Sequence, residues 1–246
     1  MSQIITGLLE TIPQNRPMQQ LCIGINWTVA VVQNETGGWQ VGLAHTPPTA
    51  DLNRHSRFTY GDNDVTGRSA FALAQLALED ELITSAVGVA TLNALIEPDT
   101  YRLKDLDAGD WLLEHGKDAK LAVFGRFPFI EEIKPLARNL WVFELEPQPG
   151  EFHPEKAGEI LPQAEIIAIT SSTLINHTLD GILKLVQPPA KVLLIGPSTP
   201  LSPLMFNFGV TMLSGVQVVD LDALIISTKQ GVSFRQMQGT RRVSLI

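Results

Sequence analysis

Hydrophobic and polar positions follow two rhythms along this chain. In the first part, Ile5, Leu8, Leu9 and Ile12 recur at helical spacing behind Ser2, a good capping residue, and Pro13 and Pro17 stop the run. Leu21 to Ile25 is continuously apolar, and Thr28 to Gln33 is rich in β-branched residues. Gly37-Gly38 then turns the chain into Trp39 to Leu43. These runs predict a small antiparallel meander. The segment from Ala44 to Gly67 is polar and holds His45, Asn53, His55, Asp62 and Asn63. Loops of this length in compact domains are often functional. A helix starting near Thr66 would carry Ala70, Phe71, Ala74, Ala77 and Leu78 on one side. The next, Asp80 to Ile96, is apolar almost all round, which predicts burial, and Pro98 stops it. The charged segment from Tyr101 to Asp118 marks a boundary between two domains, 1–105 and 106–246.

From Lys120 the rhythm becomes regular. Strands are predicted at Leu121 to Phe124, Leu140 to Leu145, Ile166 to Thr170, Val192 to Ile195 and Gly215 to Val219. Helices are predicted at Ile130 to Ala137, Pro154 to Leu161, Leu174 to Val186 and from Asp222 to Thr228, with a short one around Leu204 to Phe208. Strands alternating with helices imply βαβ units and a mainly parallel sheet with right-handed crossovers, a Rossmann-like half.

Composition narrows the function classes. The formal net charge of -8 disfavours nucleic acid, whose phosphates need a basic face. Asp220 and Asp222 interrupt the apolar stretch from Val210 to Ile226, so no membrane span is expected. Cys22, the single cysteine, lies in an apolar run and cannot form a disulfide within the chain, which suits a reducing compartment. The N-terminal stretch lacks a signal-peptide pattern. A cytoplasmic protein is expected.

Three strand ends carry similar chemistry. Gly125-Arg126-Phe127-Pro128 follows Phe124, Thr170-Ser171-Ser172-Thr173 follows Ile169, and Gly196-Pro197-Ser198-Thr199 follows Ile195. In a parallel sheet all three open on the carboxyl edge, where α/β proteins bind ligands. Helix N-termini there would offer N–H donors to an anion or a polar group; any single hydroxyl suits a helix cap, while three such turns side by side favour a binding crevice. No GxGxxG fingerprint accompanies them. Glu144 stands nineteen residues after Gly125, near where nucleotide-binding folds place the acid that holds ribose hydroxyls; with Glu146 it reads equally as a solvated strand-end carboxylate. Asn93 interrupts an apolar run and either bonds a neighbouring loop or faces a ligand. Asn176 lies four residues beyond Ser172 on one helix face. The five histidines show no ligand spacing with each other or with cysteine, and no zinc or iron site is expected.

The run ITSSTLINHTLDGIL (169–183) and the run LLIGPSTPLSPLMFNFGVTMLSGVQVVD (193–220) resemble the DUF364 family, named for a supposed part in heavy-metal chelation. The pieces Ile23 to Thr28, Val41 to Ala44 and Ala90 to Leu95 resemble its companion domain, DUF4213. The resemblance implies an enolase-N-terminal-like α+β domain followed by a Rossmann-like domain, with a site between them. It also implies making or altering a pterin-, flavin- or siderophore-like chelator. Two departures stand out: Arg126 occupies a position where the family pattern has His, and Ser171 one where Gly is common.

The expected function is therefore small-molecule binding between domains, as a transferase, condensing or hydrolytic enzyme or as a non-catalytic carrier. His45 and Glu144 are the candidate catalytic groups. Asn93, Gly125, Arg126, Phe127, Glu144, Ser171, Ser172, Asn176, Gly196, Ser198 and Thr199 are the candidate ligand contacts. The expected partner is a small polar or anionic molecule, a homodimer is left open, and no cofactor is specified.

Overall fold

The computed structural model describes residues 2–48, 57–98 and 102–246; Asn53, His55 and Tyr101 lie outside the described residues. Helix α1 (Gln3–Thr11) begins at Ser2, whose Oγ accepts from Ile5 N–H at 3.1 Å, and it buries Ile4, Ile5, Leu8 and Leu9. The meander follows as β1 (Met18–Ile23), β2 (Trp27–Gln33) and β3 (Trp39–His45). A fourth strand, β4 (Gly61–Asn63), comes from the long polar loop and completes an antiparallel sheet in the order β3-β2-β1-β4. Gly61-Asp62-Asn63 has no apolar period to betray it. It is a strand because β1 offers a free edge, pairing Cys22 with Asp62.

Helix α2 (Ala70–Ala74) runs on as a 3₁₀ turn to Leu78. Glu81 then caps α3 (Leu82–Leu95), accepting from Ile83 and Thr84 N–H at 2.9 Å each. The all-round apolar pattern of α3 has its cause in two coverings. One side lies on the sheet, so closely that a Cβ at Gly42 would overlap the Ala90 carbonyl. The other side meets α2, its 3₁₀ turn and, through Ser85, the second half of the chain: Ser85 Oγ donates to Ile175 O at 2.9 Å.

The second sheet has seven strands: β5 (Leu103–Lys104), β6 (Lys120–Phe124), β7 (Asn139–Phe143), β8 (Ile166–Thr170), β9 (Lys191–Ile195), β10 (Met212–Val218) and β11 (Thr240–Leu245). Their order is β5-β11-β10-β9-β8-β6-β7. The five strands from β10 to β7 are parallel, while β11 and β5 add an antiparallel edge. The architecture is thus mixed α/β, with one mainly parallel and one antiparallel sheet. The chain winds outward from β6 to β7, then returns to lay β8 on the other flank of β6. Such a reversal opens a crevice at the carboxyl ends of β6 and β8.

The helices of this half are α4 (Ala108–His115), α5 (Ile130–Ile133), α6 (Ala157–Ile160), α7 (Leu179–Leu183) and α8 (Leu221–Lys229). Several are shorter than their apolar patterns predict. The expected helix from Leu174 to Val186 is a 3₁₀ turn at Ser171–Leu174, a break at His177 (φ 58°), and then α7. A left-handed residue cannot continue a right-handed helix.

The two halves share one apolar core. The face of the first sheet away from α3 packs Val29, Val31 and Leu43 against Leu224 of α8, with Val216 and Val218 of β10 beside them. Polar straps join the two halves at several places. Asp180 accepts from Gln3 N–H at 2.7 Å, Lys229 pairs with Asp62 at 2.7 Å, and Trp27 Nε1 donates to Val232 O at 2.9 Å. Among the described residues no helix is long and apolar enough to cross a membrane.

Candidate functional site

A cavity of about 570 Å³ opens at the carboxyl ends of β6, β8 and β9 and is roofed by the first half of the chain. Its floor is made by Arg126 to Phe129, Thr170 to Ser172 and Ile195 to Ser198. Trp27 and His45 close it from the antiparallel sheet. The start of α4, from Asp107, and the C-terminal residues Ser233 to Arg235 and Arg242 form the remaining walls.

Local sequence explains how each wall is presented. Gly196 sits at φ 127°, a left-handed region open to glycine, and aims the Pro197–Thr199 turn away from the strand. A Cβ there would also meet Ser171 Oγ at 2.8 Å, so the two turns lie side by side. Ser171 is buried, lines the cavity, and its hydroxyl has no hydrogen-bond partner among the described residues. Ser172 also lines the cavity, and its N–H lies 3.4 Å from Thr170 Oγ1. Phe127 and Phe129 stack at 5.0 Å, and Trp27 and Phe234 meet at 5.9 Å, giving aromatic surfaces on opposing elements.

Two of the cavity's three arginines, Arg126 and Arg242, are paired within the protein, while Arg235, Asp110 and Glu132 line it with no ion pair among the described residues. Arg126 makes a two-pronged pair with Glu151, Nε to Oε1 at 3.0 Å and Nη2 to Oε2 at 2.6 Å, and also donates to Glu146 O. This pairing holds the Glu151 carboxyl down at about 2. Arg242 lies 2.7 Å from Asp107 and over the Phe234 ring. The other Asp107 oxygen caps α4 through Gly109 N–H at 2.7 Å. His45 is half-buried, and that burial lowers its pKa, which favours the neutral ring. Its ring meets Trp27 edge-on at 5.9 Å.

Other candidates are placed differently. Ser198 Oγ accepts from His45 N–H at 2.8 Å, and Ser198 O accepts from Asn93 Nδ2 at 3.0 Å. Asn93 also donates to Leu43 O at 2.9 Å, so this amide bonds the neighbouring loop. Thr199 Oγ1 donates to Ser214 O at 3.0 Å and is buried. Ser198 and Thr199 therefore tie the turn to its surroundings, and Thr199 and Asn93 lie on the far side of that turn from the cavity. Asn176 accepts from Thr178 N–H and Oγ1 in a local turn away from the cavity. Gly125, at φ 103°, donates to Phe143 O and turns the chain beneath Thr170. Glu144 is half-buried behind Arg126 rather than in the cavity wall. Burial raises its pKa, while the Arg126 charge pulls the other way.

The helix-dipole expectation also needs correction. The turns after β6, β8 and β9 lead into helices of four to six residues, two of them 3₁₀. Few peptide dipoles are aligned there, so they contribute donors but little field. The sequence reading missed Trp27, Asp107, Phe129, Ser214, Phe234 and Arg242 as cavity residues. Phe129 stands one residue past the turn Gly125 to Pro128, and Trp27 lies within the run Ile23 to Thr28. Phe234 and Arg242 carry no such signal, because the 3₁₀ turn Phe234–Gln236 and the antiparallel strand β11 after it bring them back.

The DUF364 family model, described as "Putative heavy-metal chelation", matches residues 107–246, more than half of the chain. The chain belongs to the DUF364 family. A DUF4213 model with the same description matches residues 5–96. Two crystal structures of DUF364 proteins of unknown function superpose on this one. That from Desulfitobacterium hafniense has a TM-score of 0.84, covering 99% of this chain and 97% of its own. That from Pyrococcus horikoshii has a TM-score of 0.80, covering 99% and 98%. Both are 22% identical in sequence, and the likeness is one of fold. An uncharacterised protein of Methanocaldococcus jannaschii is 24% identical over 169 residues, spanning 66% of this chain and 65% of that relative's length.

The family description raises the question of a metal. Among the described residues no group of three or more His, Cys, Asp or Glu side chains gathers where an ion could sit. In this DUF364 chain the cavity offers hydroxyls, aromatic faces, one imidazole and three carboxylates, of which Asp107 is held by Arg242 and the start of α4, while Asp110 and Glu132 join no three-ligand cluster. That set does not fit a bare heavy-metal ion, which wants several converging soft or anionic donors.

Proposed function

We propose that this DUF364 protein binds a small, flat, polar organic molecule of the metal-chelating kind in the cavity between its two halves. The observation that carries the reading is the pairing of aromatic faces (Phe127 and Phe129, Trp27 and Phe234) with the uncommitted Ser171 hydroxyl in one 570 Å³ space. Aromatic rings favour a planar ligand, and a few fixed polar groups orient it. The cavity's arginines, Arg126, Arg235 and Arg242, are balanced by Asp107, Asp110 and Glu132 in its walls and by Glu151 on Arg126, so a ligand near neutrality suits it better than a free anion. Any metal would then arrive with the chelator supplying its ligands. On this reading the substrate class is pterin-, flavin- or siderophore-like. The two halves, 1–105 and 106–246, act as an enolase-N-terminal-like roof over a Rossmann-like floor, with the short strand β5 of the first passing into the edge of the second sheet, consistent with the reversal at β6.

The half-buried His45 favours an enzyme over a passive carrier. An imidazole that lines the cavity and is kept neutral by burial can serve as a general base, which a carrier does not need. Transfer, condensation and hydrolysis all use such a base. The test is calorimetric titration with pterins, flavins and catechol chelators, each with and without zinc, in parallel with zinc alone. We expect saturable binding of at least one planar chelator, weakened about tenfold by Ser171→Ala through loss of one hydrogen bond. Binding of zinc alone, with no chelator bound, would overturn the reading.

A further inference from the structure

Behind the Pro197 turn lies a second cavity of about 390 Å³, set against the outer edge of β3. β3 is the last strand of its sheet, so only its β2 side is paired. The register decides which groups remain free. Thr46 N–H bonds Asn26 O at one end of the β2–β3 pair, and Asn34 N–H bonds Gly38 O at the other. Antiparallel pairs alternate, so residues 40, 42 and 44 bond to β2, and residues 39, 41, 43 and 45 turn their N–H and C=O outward. Two of those outward groups are occupied: Leu43 O by Asn93 and His45 N–H by Ser198. The N–H and C=O of Val41 and the N–H of Leu43 have no partner among the described residues.

This free edge is recessed. The end of α3, with Ala94 and then Pro98, stands on one side, and Val216 and Val218 of β10 stand on the other. WQVGLAH carries neither proline nor fixed charge, and the β2–β3 register has no bulge. Those are the devices that usually guard an edge strand from pairing. The charged residue on the rim, Glu97, is engaged by Arg16.

We propose that this slot receives one extended, uncharged peptide segment, which adds to β3 as a further strand between Trp39 and Leu43. Outward N–H and C=O groups at every second residue match a peptide backbone, and the apolar walls suit its alternating side chains. A second copy of the chain fits poorly, because its own β3 lies in the same recess and two recessed edges cannot meet. The open stretch of about three residues spans roughly 10 Å.

Amide exchange and titration of isotope-labelled protein by NMR test this. In the free protein, the Val41 and Leu43 amides should exchange about tenfold or more faster than Gly42 and Ala44, as unpaired edge groups do. Short capped peptides alternating Val and Thr should shift and protect them saturably. The same peptides N-methylated at alternate amides keep their side chains but lose backbone donors, and should bind about tenfold or more weakly. Four results overturn the proposal: Val41 and Leu43 already protected in the free protein, no shift with any peptide of the panel, equal binding of the methylated peptides, or protection that rises with protein concentration alone. The last would make the occupant a second copy.

Discussion

Ser171 and Ser198 follow neighbouring parallel strands in turns of similar composition, yet they do opposite things. The Ser171 hydroxyl faces the cavity with no partner among the described residues, whereas the Ser198 hydroxyl is bonded to His45 N–H across the junction between the halves. Ser198 O is likewise taken by Asn93. Both serines are buried and line the same cavity, and the difference lies in what reaches each one: the end of β3 brings His45 N–H to Ser198, and no such donor reaches Ser171. A hydroxyl at a strand end becomes a ligand group only where the rest of the fold leaves it unspent.

The comparison breaks most sharply at Asn93. Asn93→Asp would set a carboxylate against the carbonyls of Leu43 and Ser198, replacing two bonds by two repulsions. A loss of about 3 kcal/mol or more in urea unfolding is expected. A loss below about 1 kcal/mol would mean the junction does not depend on this amide.

Gly196→Ala tests how closely the two turns abut. The new methyl meets Ser171 Oγ and imposes φ 127° on an L-residue. A cost of about 1–3 kcal/mol is expected, together with weaker binding in the cavity.

Ser198→Ala leaves the His45 N–H without its partner and should cost about 1–2 kcal/mol. Ser171→Ala removes no protein hydrogen bond and should change stability by less than about 0.5 kcal/mol while affecting only ligand binding. If thermal scans rank these two the other way, the assignment of structural and ligand hydroxyls is inverted.

The pH response is smaller still. Burial lowers the His45 pKa, so the unfolded chain binds a proton more readily than the folded one. That contribution to stability is full above 6.5 and falls away as pH drops through the lowered folded value. His45→Gln should flatten the dependence in this window. Cys22 gives a chemical readout: burial, then the charge of Asp62, pushes its thiol up to about 11, so disulfide reagents should spare it until the protein unfolds.

Much of this was legible in the residues. Period and punctuation located α3, the meander and the five parallel strands, because each has enough apolar length to declare its own partner layer. The strand-end turns were legible because Gly125 and Gly196 must reverse the chain there. β4 was not, since Gly61-Asp62-Asn63 is a strand only beside β1. The helix of Leu174 to Val186 was overread, because apolar spacing does not reveal the left-handed break at His177.

Sequence by itself determined the strand-helix alternation, the buried α3, the carboxyl-edge turns and the kinship with DUF364. These follow from hydrophobic period, from glycine and proline, and from motifs read within a few residues of one another. Tertiary structure alone decided which hydroxyls of those turns stay unspent. It brought Asp107, Phe234 and Arg242 to the cavity through the antiparallel edge strands and the turns beside them, engaged Arg126 with Glu151, and laid Asn93 and Ser198 into the junction. The physical reason is that a hydrogen-bonding group has no role until its partner is known, and these partners come from distant parts of the chain.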